Sequence, residues 1–148
     1  MEKYNQSKLG KYRIATISRS KNDLSILSEK LPDEMRFSFL PYLIVNSKKK
    51  ALTTLLTGQF LDEKERPLTN QLAFQIEYQI DGNMPICLNE NNVLQVDNSE
   101  MITALFDTAI GAFRGVLFEW LKGSSLQRPL PLVDLGDFLS HLQVSFTK

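Results

Sequence analysis

His141 is the only histidine and Cys87 the only cysteine in this chain of 148 residues. With one of each, neither a histidine-based metal cluster nor a histidine-paired cysteine nucleophile is easy to build. His141 falls on the polar side of a short helical pattern and reads as a surface residue. Cys87 lies among polar loop residues, with no helix start or fixed cation beside it to stabilise a thiolate. Asp134 and Asp137 could mimic a catalytic carboxylate pair, yet their position suits a helix cap and a first-turn acid. Asp107 and Arg114 lie seven residues apart on a long helical pattern, where they can pair with each other or with a partner subunit. Gly111 and Gly115 sit inside that helix, not between a strand and a helix as a phosphate-binding loop requires. The run Lys48-Lys49-Lys50 reads as a solvated turn. No catalytic residue, metal ligand or cofactor site is assigned, and an enzyme is not expected.

The elements around these residues form one domain over residues 1–148, with a core from about 12 to 142. Hydrophobic residues make up 43% of the chain and charged residues 23%, a balance that excludes intrinsic disorder. Lys and Arg number 17 against 17 Asp and Glu. That balance argues against nucleic acid or an anionic membrane as the main partner. Residues 1–8 contain no apolar run resembling a secretory leader, and a single cysteine suits a reducing compartment, so a cytoplasmic setting is expected. The segment from Met101 to Leu121 is long and apolar, but it carries Asp107, Arg114 and Glu119. Charges near a bilayer centre cost several kcal/mol, so the segment reads as a buried helix of a soluble protein.

Strands are expected over Tyr12–Ile17, Arg36–Asn46, Ala51–Leu61 and Asn70–Ile80. The last is the clearest. Leu72, Phe74, Ile76, Tyr78 and Ile80 alternate with Gln71, Ala73, Gln75, Glu77 and Gln79, the period of an antiparallel strand with one wet face. Pro41 cannot donate to a ladder, which places its strand at an edge or puts a bulge there. The residues between Asp81 and Asp97 read as an asparagine-rich loop. Asp97 with Glu100 has the spacing of a helix cap and its reciprocal acid, opening a helix over Ser99–Lys122, about 36 Å long. Gly123-Ser124-Ser125 ends it. After an extended, proline-containing segment, Asp134 caps a short helix whose apolar stripe is Leu135, Phe138, Leu139 and Leu142. The fold class is α+β: a four-stranded antiparallel sheet, one long helix and one short C-terminal helix.

The long helix is apolar on nearly all sides, whereas a helix on the outside of a monomer needs only about 100° of apolar face. One side can rest on the sheet. The other carries Ala104, Thr108, Gly111, Ala112 and Gly115, small residues at helical spacing that admit a second backbone. Self-association through this helix, as a dimer or tetramer, is expected.

The order of these elements resembles the SecB-type protein-export chaperones, in which a four-stranded antiparallel sheet precedes a long helix, an extended connection and a second helix. Gly123-Ser124, Leu130-Pro131-Leu132-Val133-Asp134-Leu135 and Phe138-Leu139 are similar to the family's pattern after the long helix. Arg114-Gly115-Val116-Leu117 matches an Arg-Gly step within it. The resemblance implies a tetrameric holdase that binds unfolded polypeptide clients in apolar grooves, without chemistry. Its client-binding residues would be Leu24, Ile26, Leu27 and Leu31 of the loop before the second strand, with Leu135, Phe138, Leu139 and Leu142 of the last helix. Delivery to the export motor is doubtful, since the exposed face Gln71, Gln75, Glu77 and Gln79 carries one acid and the chain has no acidic tail. Two alternatives stand beside a general holdase: a small-molecule-binding α+β module, and a dedicated interaction subunit such as the chaperones associated with toxin–antitoxin systems.

Overall fold

The computed structural model describes residues 11–127 and 135–147. Its order is β1 (Lys11–Arg19), β2 (Met35–Asn46), β3 (Ala51–Asp62), β4 (Leu72–Asp81), β5 (Ile86–Leu88), β6 (Leu94–Val96), α1 (Ser99–Leu121), α2 (Leu135–Ser140) and β7 (Gln143–Phe146). The four expected strands, the long helix and the short helix are all present.

The sheet departs from the expected pattern. It has five strands in the order β1-β4-β3-β2-β7. β1, β4, β3 and β2 pair antiparallel, and β7 adds in parallel to β2, pairing Tyr42–Val45 with Gln143–Phe146. The sheet is therefore mixed, not wholly antiparallel. Pro41 lies just before the point where β7 begins, so its missing N–H falls where that side of β2 has no strand partner among the described residues. The presumed loop before α1 holds a second, two-stranded sheet, β5-β6. A third correction concerns the cap of α1: Asn98, not Asp97, accepts from the Met101 amide. The Asp97 carboxylate is already engaged by Gln95 Nε2 at 2.8 Å. Asp134, the expected cap of α2, lies outside the described residues.

Register decides which faces meet. Leu52, Thr54, Leu56 and Gly58 of β3 stand beside Tyr78, Ile76, Phe74 and Leu72 of β4, and these residues face α1. All eight are buried. Ten residues of α1 are buried, among them Leu105, Phe106, Phe113 and Leu117. The helix is long and apolar enough to cross a membrane by length and composition. Its burial against the sheet is that of a core helix. Gly58 sits at a close approach, because a Cβ there would displace the ring tip of Phe37 and come within 3.1 Å of Phe113.

The buried Tyr78 hydroxyl donates to the Leu105 carbonyl at 2.9 Å, tying β4 to α1. Burial pushes its pKa up to about 12. Tyr78→Phe is expected to lower stability by about 1–2 kcal/mol near neutral pH, read from urea denaturation. The raised pKa means that folding favours the protonated phenol. This contribution is intact below pH 10 and fades as pH rises towards 12, so the variant should lose less stability than the wild type over that range.

Asp62 organises the turn after β3. Its carboxylate accepts from the Arg66 amide (2.8 Å), the Lys64 amide (2.9 Å) and Arg66 Nε (2.9 Å). Led by the bond from the Arg66 amide, these interactions hold the carboxyl below its usual range, outweighing the opposing effect of burial. Folding therefore favours the carboxylate, and the stability it adds is present at neutral pH and lost as pH falls through the depressed value. Asp62→Asn is expected to reduce the melting temperature at pH 7, with the gap to wild type closing at strongly acid pH.

Candidate polypeptide-binding surface

The segment between β1 and β2 is a strap fastened along the Leu68–Asn70 backbone. Leu27 N donates to Leu68 O at 2.8 Å, Asn70 N to Ser25 O at 3.1 Å, and Ile26 bridges Thr69. The Asn70 side chain completes the attachment, accepting from Ser25 N and donating to Asp23 O, both at 2.8 Å. At the far end of α1, Trp120 Nε1 donates to Asn22 O at 3.2 Å. These bonds fix which way the apolar side chains point. Leu24 and Leu31 are half-buried and pack against the core. Ile26 and Leu27 remain 43% and 59% exposed.

The residues expected from α2 are placed differently. Phe138 is 7% exposed, with its ring 4.9 Å from Phe39 and 6.3 Å from Phe106, so it closes the core. Leu139 and Leu142 are half-buried against the same cluster. Leu135 occupies the first position of α2, and its side chain lies outside the described residues. The strap and α2 are thus anchored separately, one to the loop before β4 and the end of α1, the other to β2.

Phe37 and Phe39 of β2, which sequence reasoning read only as strand formers, are half-buried on the helix-facing side of the sheet. Phe37 lies 5.0 Å from Phe60, and Phe39 lies 5.1 Å from Phe113. Their i, i+2 spacing was the available signal, since it sets both rings on one face of a strand. Partly exposed aromatic rings over a close-packed floor offer apolar area with little shape restriction.

The remaining candidates are polar or inert. An open cleft of about 470 Å³ beside the strap is lined by Arg19, Asp23, Leu24, Glu119, Trp120 and Lys122, among others. Two acids and two bases in an open cleft do not make the apolar, enclosing pocket typical of small-molecule sites. Cys87 lies in β5, its Sγ 3.7 Å from Asp97 Oδ2. Burial, then the Asp97 charge, raises its pKa, which keeps it a thiol. Among the described residues no three His, Cys, Asp or Glu side chains gather to hold a metal ion, and His141 is exposed.

The expected self-association residues share one side of α1. Thr108, Gly111, Ala112 and Gly115 are exposed, and Ala104 is half-buried. At 100° per residue they lie opposite the buried stripe. Phe118 joins this face at 54% exposure. On β1, Ile14 and Ile17 stand opposite the buried Tyr78 and Ile76 across a bulge at Ala15, yet are 47% and 57% exposed, because α1 lies over β3 and β4.

No family model matches this sequence, and no curated protein matches it. Among solved structures, a SecB-like chaperone of Mycobacterium tuberculosis, in complex with a ChAD peptide of the HigA1 antitoxin, is similar with a TM-score of 0.52. Sequence identity is 12%, and the match covers 82% of this chain and 88% of the other. The fold is SecB-like. A protein of unknown function from Streptococcus agalactiae is matched at a TM-score of 0.32 with 15% identity, over 82% of this chain and 98% of the other, too distant to bear on the fold. Within the SecB-like fold, β1–β4, α1 and α2 supply the arrangement that the sequence resemblance implies. The β5-β6 hairpin and β7 extend that four-stranded, two-helix plan.

Proposed function

We propose that the protein is a SecB-like chaperone that holds unfolded polypeptides in the cytoplasm and carries out no chemistry. The observation that carries this reading is the fastened strap. Ile26 and Leu27 are held in solvent by backbone bonds, next to Leu24 and Leu31, so apolar surface is kept exposed by design of the backbone. Such surface binds by area and tolerates varied sequence. A fold shared with a chaperone that binds a peptide supports the same reading. Client contacts come from Leu24, Ile26, Leu27, Leu31, Leu139 and Leu142, with Phe37 and Phe39 between the two groups, whereas Phe138 serves the core. The small-residue face of α1, with Phe118, Ile14 and Ile17, is the surface for self-association.

The test is suppression of aggregation of a denatured protein at stoichiometric ratio, with mass followed by light scattering. An assembly of several subunits that delays aggregation supports the reading; a monomer that does not delay it overturns the reading. A dedicated interaction subunit is the second reading, favoured by the antitoxin peptide bound to the mycobacterial chaperone. It predicts tight binding of one partner and none of generic unfolded chains. The outer sheet face gives little support for docking to the export motor. Of the expected outward residues of β4, Glu77 is the one acid, and it pairs across to Thr16.

A further inference from the structure

The β5-β6 hairpin has two unlike faces. Its register pairs Ile86 with Val96, Cys87 with Gln95 and Leu88 with Leu94. Alternation then places Ile86, Leu88, Leu94 and Val96 on one face, and Cys87 with Gln95 on the other. The polar face is closed by Asp97, which takes Gln95 Nε2 and lies beside Cys87 Sγ. The other face is wholly aliphatic. Ile86 is 1% exposed and roots the hairpin in the core, while Leu88, Leu94 and Val96 are 44%, 44% and 49% exposed. Val93, at the turn, is 57% exposed. The hairpin is held in shape, with Asn89 N donating to Val93 O at 2.9 Å and Asn89 Oδ1 accepting from Asn91 N and Val93 N.

We infer that this aliphatic face, with the strand edge beside it, is a second contact for an extended segment of a held polypeptide. The inference rests on the holdase reading and extends it to a surface outside the strap. Two observations select this occupant over a second copy of the chain. Area is the first: the three side chains of this face that are about half exposed, Leu88, Leu94 and Val96, offer on the order of 200 Å², against roughly 800 Å² per partner in a stable dimer. Backbone is the second. The sheet has only two strands, so each has one side with no strand partner among the described residues. None of the six strand residues is charged or proline, so only the shortness of the strands, three residues each, blunts this edge. An extended chain can add to such an edge and lay alternate side chains on the aliphatic face.

The experiment measures binding of reduced, carboxymethylated lactalbumin by the whole chain and by the variant Leu88→Asn/Leu94→Asn. In parallel, a photo-crosslinking residue is placed at position 94 and, as control, at position 95 on the opposite face. The variant is expected to bind the probe about fivefold more weakly, with urea midpoint and assembly mass unchanged, and adducts are expected at 94 and not at 95. Wild-type binding that survives unchanged in the variant, with no adduct at 94, overturns this inference and leaves the holdase reading intact. A fall in assembly mass makes the face a subunit contact and also overturns it. A wild type that binds no probe overturns the holdase reading and this inference together. Should the variant fail to fold, the adduct pattern decides.

Discussion

Phe113→Ala is expected to remove about 3–5 kcal/mol of stability, read as a shift of the urea midpoint at unchanged slope. Phe113 is fully buried, and its ring lies 5.1 Å from Phe39 and 5.8 Å from Phe74. It therefore touches β2 and β4 at once, and it faces β3 at the one position where a glycine lets the helix come close. A cavity at this point is walled by paired strands on one side and by α1 on the other, and neither can collapse without breaking backbone hydrogen bonds. The loss is a large share of the roughly 5–15 kcal/mol that holds an ordinary domain. Phe118 supplies the control. It lies on the same helix but is 54% exposed, so Phe118→Ala should change monomer stability by no more than about 0.5 kcal/mol. Equal losses at the two positions would show that α1 does not seat on the sheet through Phe113. The same substitution also removes the support under Phe39, so client affinity should fall with stability.

What the sequence discloses of this fold depends on how many residues a pattern spans. β4 is legible because five large apolar residues alternate with four polar ones and Ala73, and a slip of one would turn the whole apolar set to water. α1 is legible for the same reason at period 3.6. β5 and β6 have three residues each and β7 has four, too few to set alternation apart from chance. β7 also joins a partner about a hundred positions away in sequence, so nothing local marks it. The cap of α1 shows a different limit. Asp97 and Asn98 are both good caps, and the choice falls to Asn98 because Gln95 and Cys87 occupy the Asp97 carboxylate, a competition set by the hairpin.

The candidate site was legible in residue type more than in orientation. Leu24, Ile26, Leu27 and Leu31 mark an apolar loop in the sequence, but only the bonds from Asn70 and Leu68 determine that Ile26 and Leu27 face water. The stripe on α2 gives the opposite lesson. Its spacing would serve equally to hold a client or to close a core, and Phe138 closes the core because Phe39 stands beneath it. A holdase has to keep apolar side chains in solvent without letting them collapse inward. On the proposed holdase reading, the backbone attachment of the strap would serve that end, with Leu24 and Leu31 packed against the core beneath it.

Replacing both Gly111 and Gly115 by Leu should separate folding from assembly. A Cβ at either position meets nothing within 4 Å, so the larger side chains project into open space in the single chain. Within a helix, exchanging glycine for leucine gains up to about 1 kcal/mol per position. The isolated subunit should therefore become more stable, by about 1–2 kcal/mol in all. Assembly should respond in the other direction. If α1 meets a second copy through Ala104, Thr108, Gly111, Ala112 and Gly115, two leucines force the backbones apart across the whole contact, and overpacking of this kind costs about 1–3 kcal/mol at each site. A symmetric contact carries both substitutions on each side, so the cost is doubled and the assembly should dissociate. The expected result is a mass of 16.9 kDa by light scattering together with a raised urea midpoint at low protein concentration. An assembly that keeps its mass would move self-association to another surface, with the β1 face of Ile14 and Ile17 next to be tested. The opposite signs matter, because a variant that merely misfolds cannot lose its partner and gain stability at once.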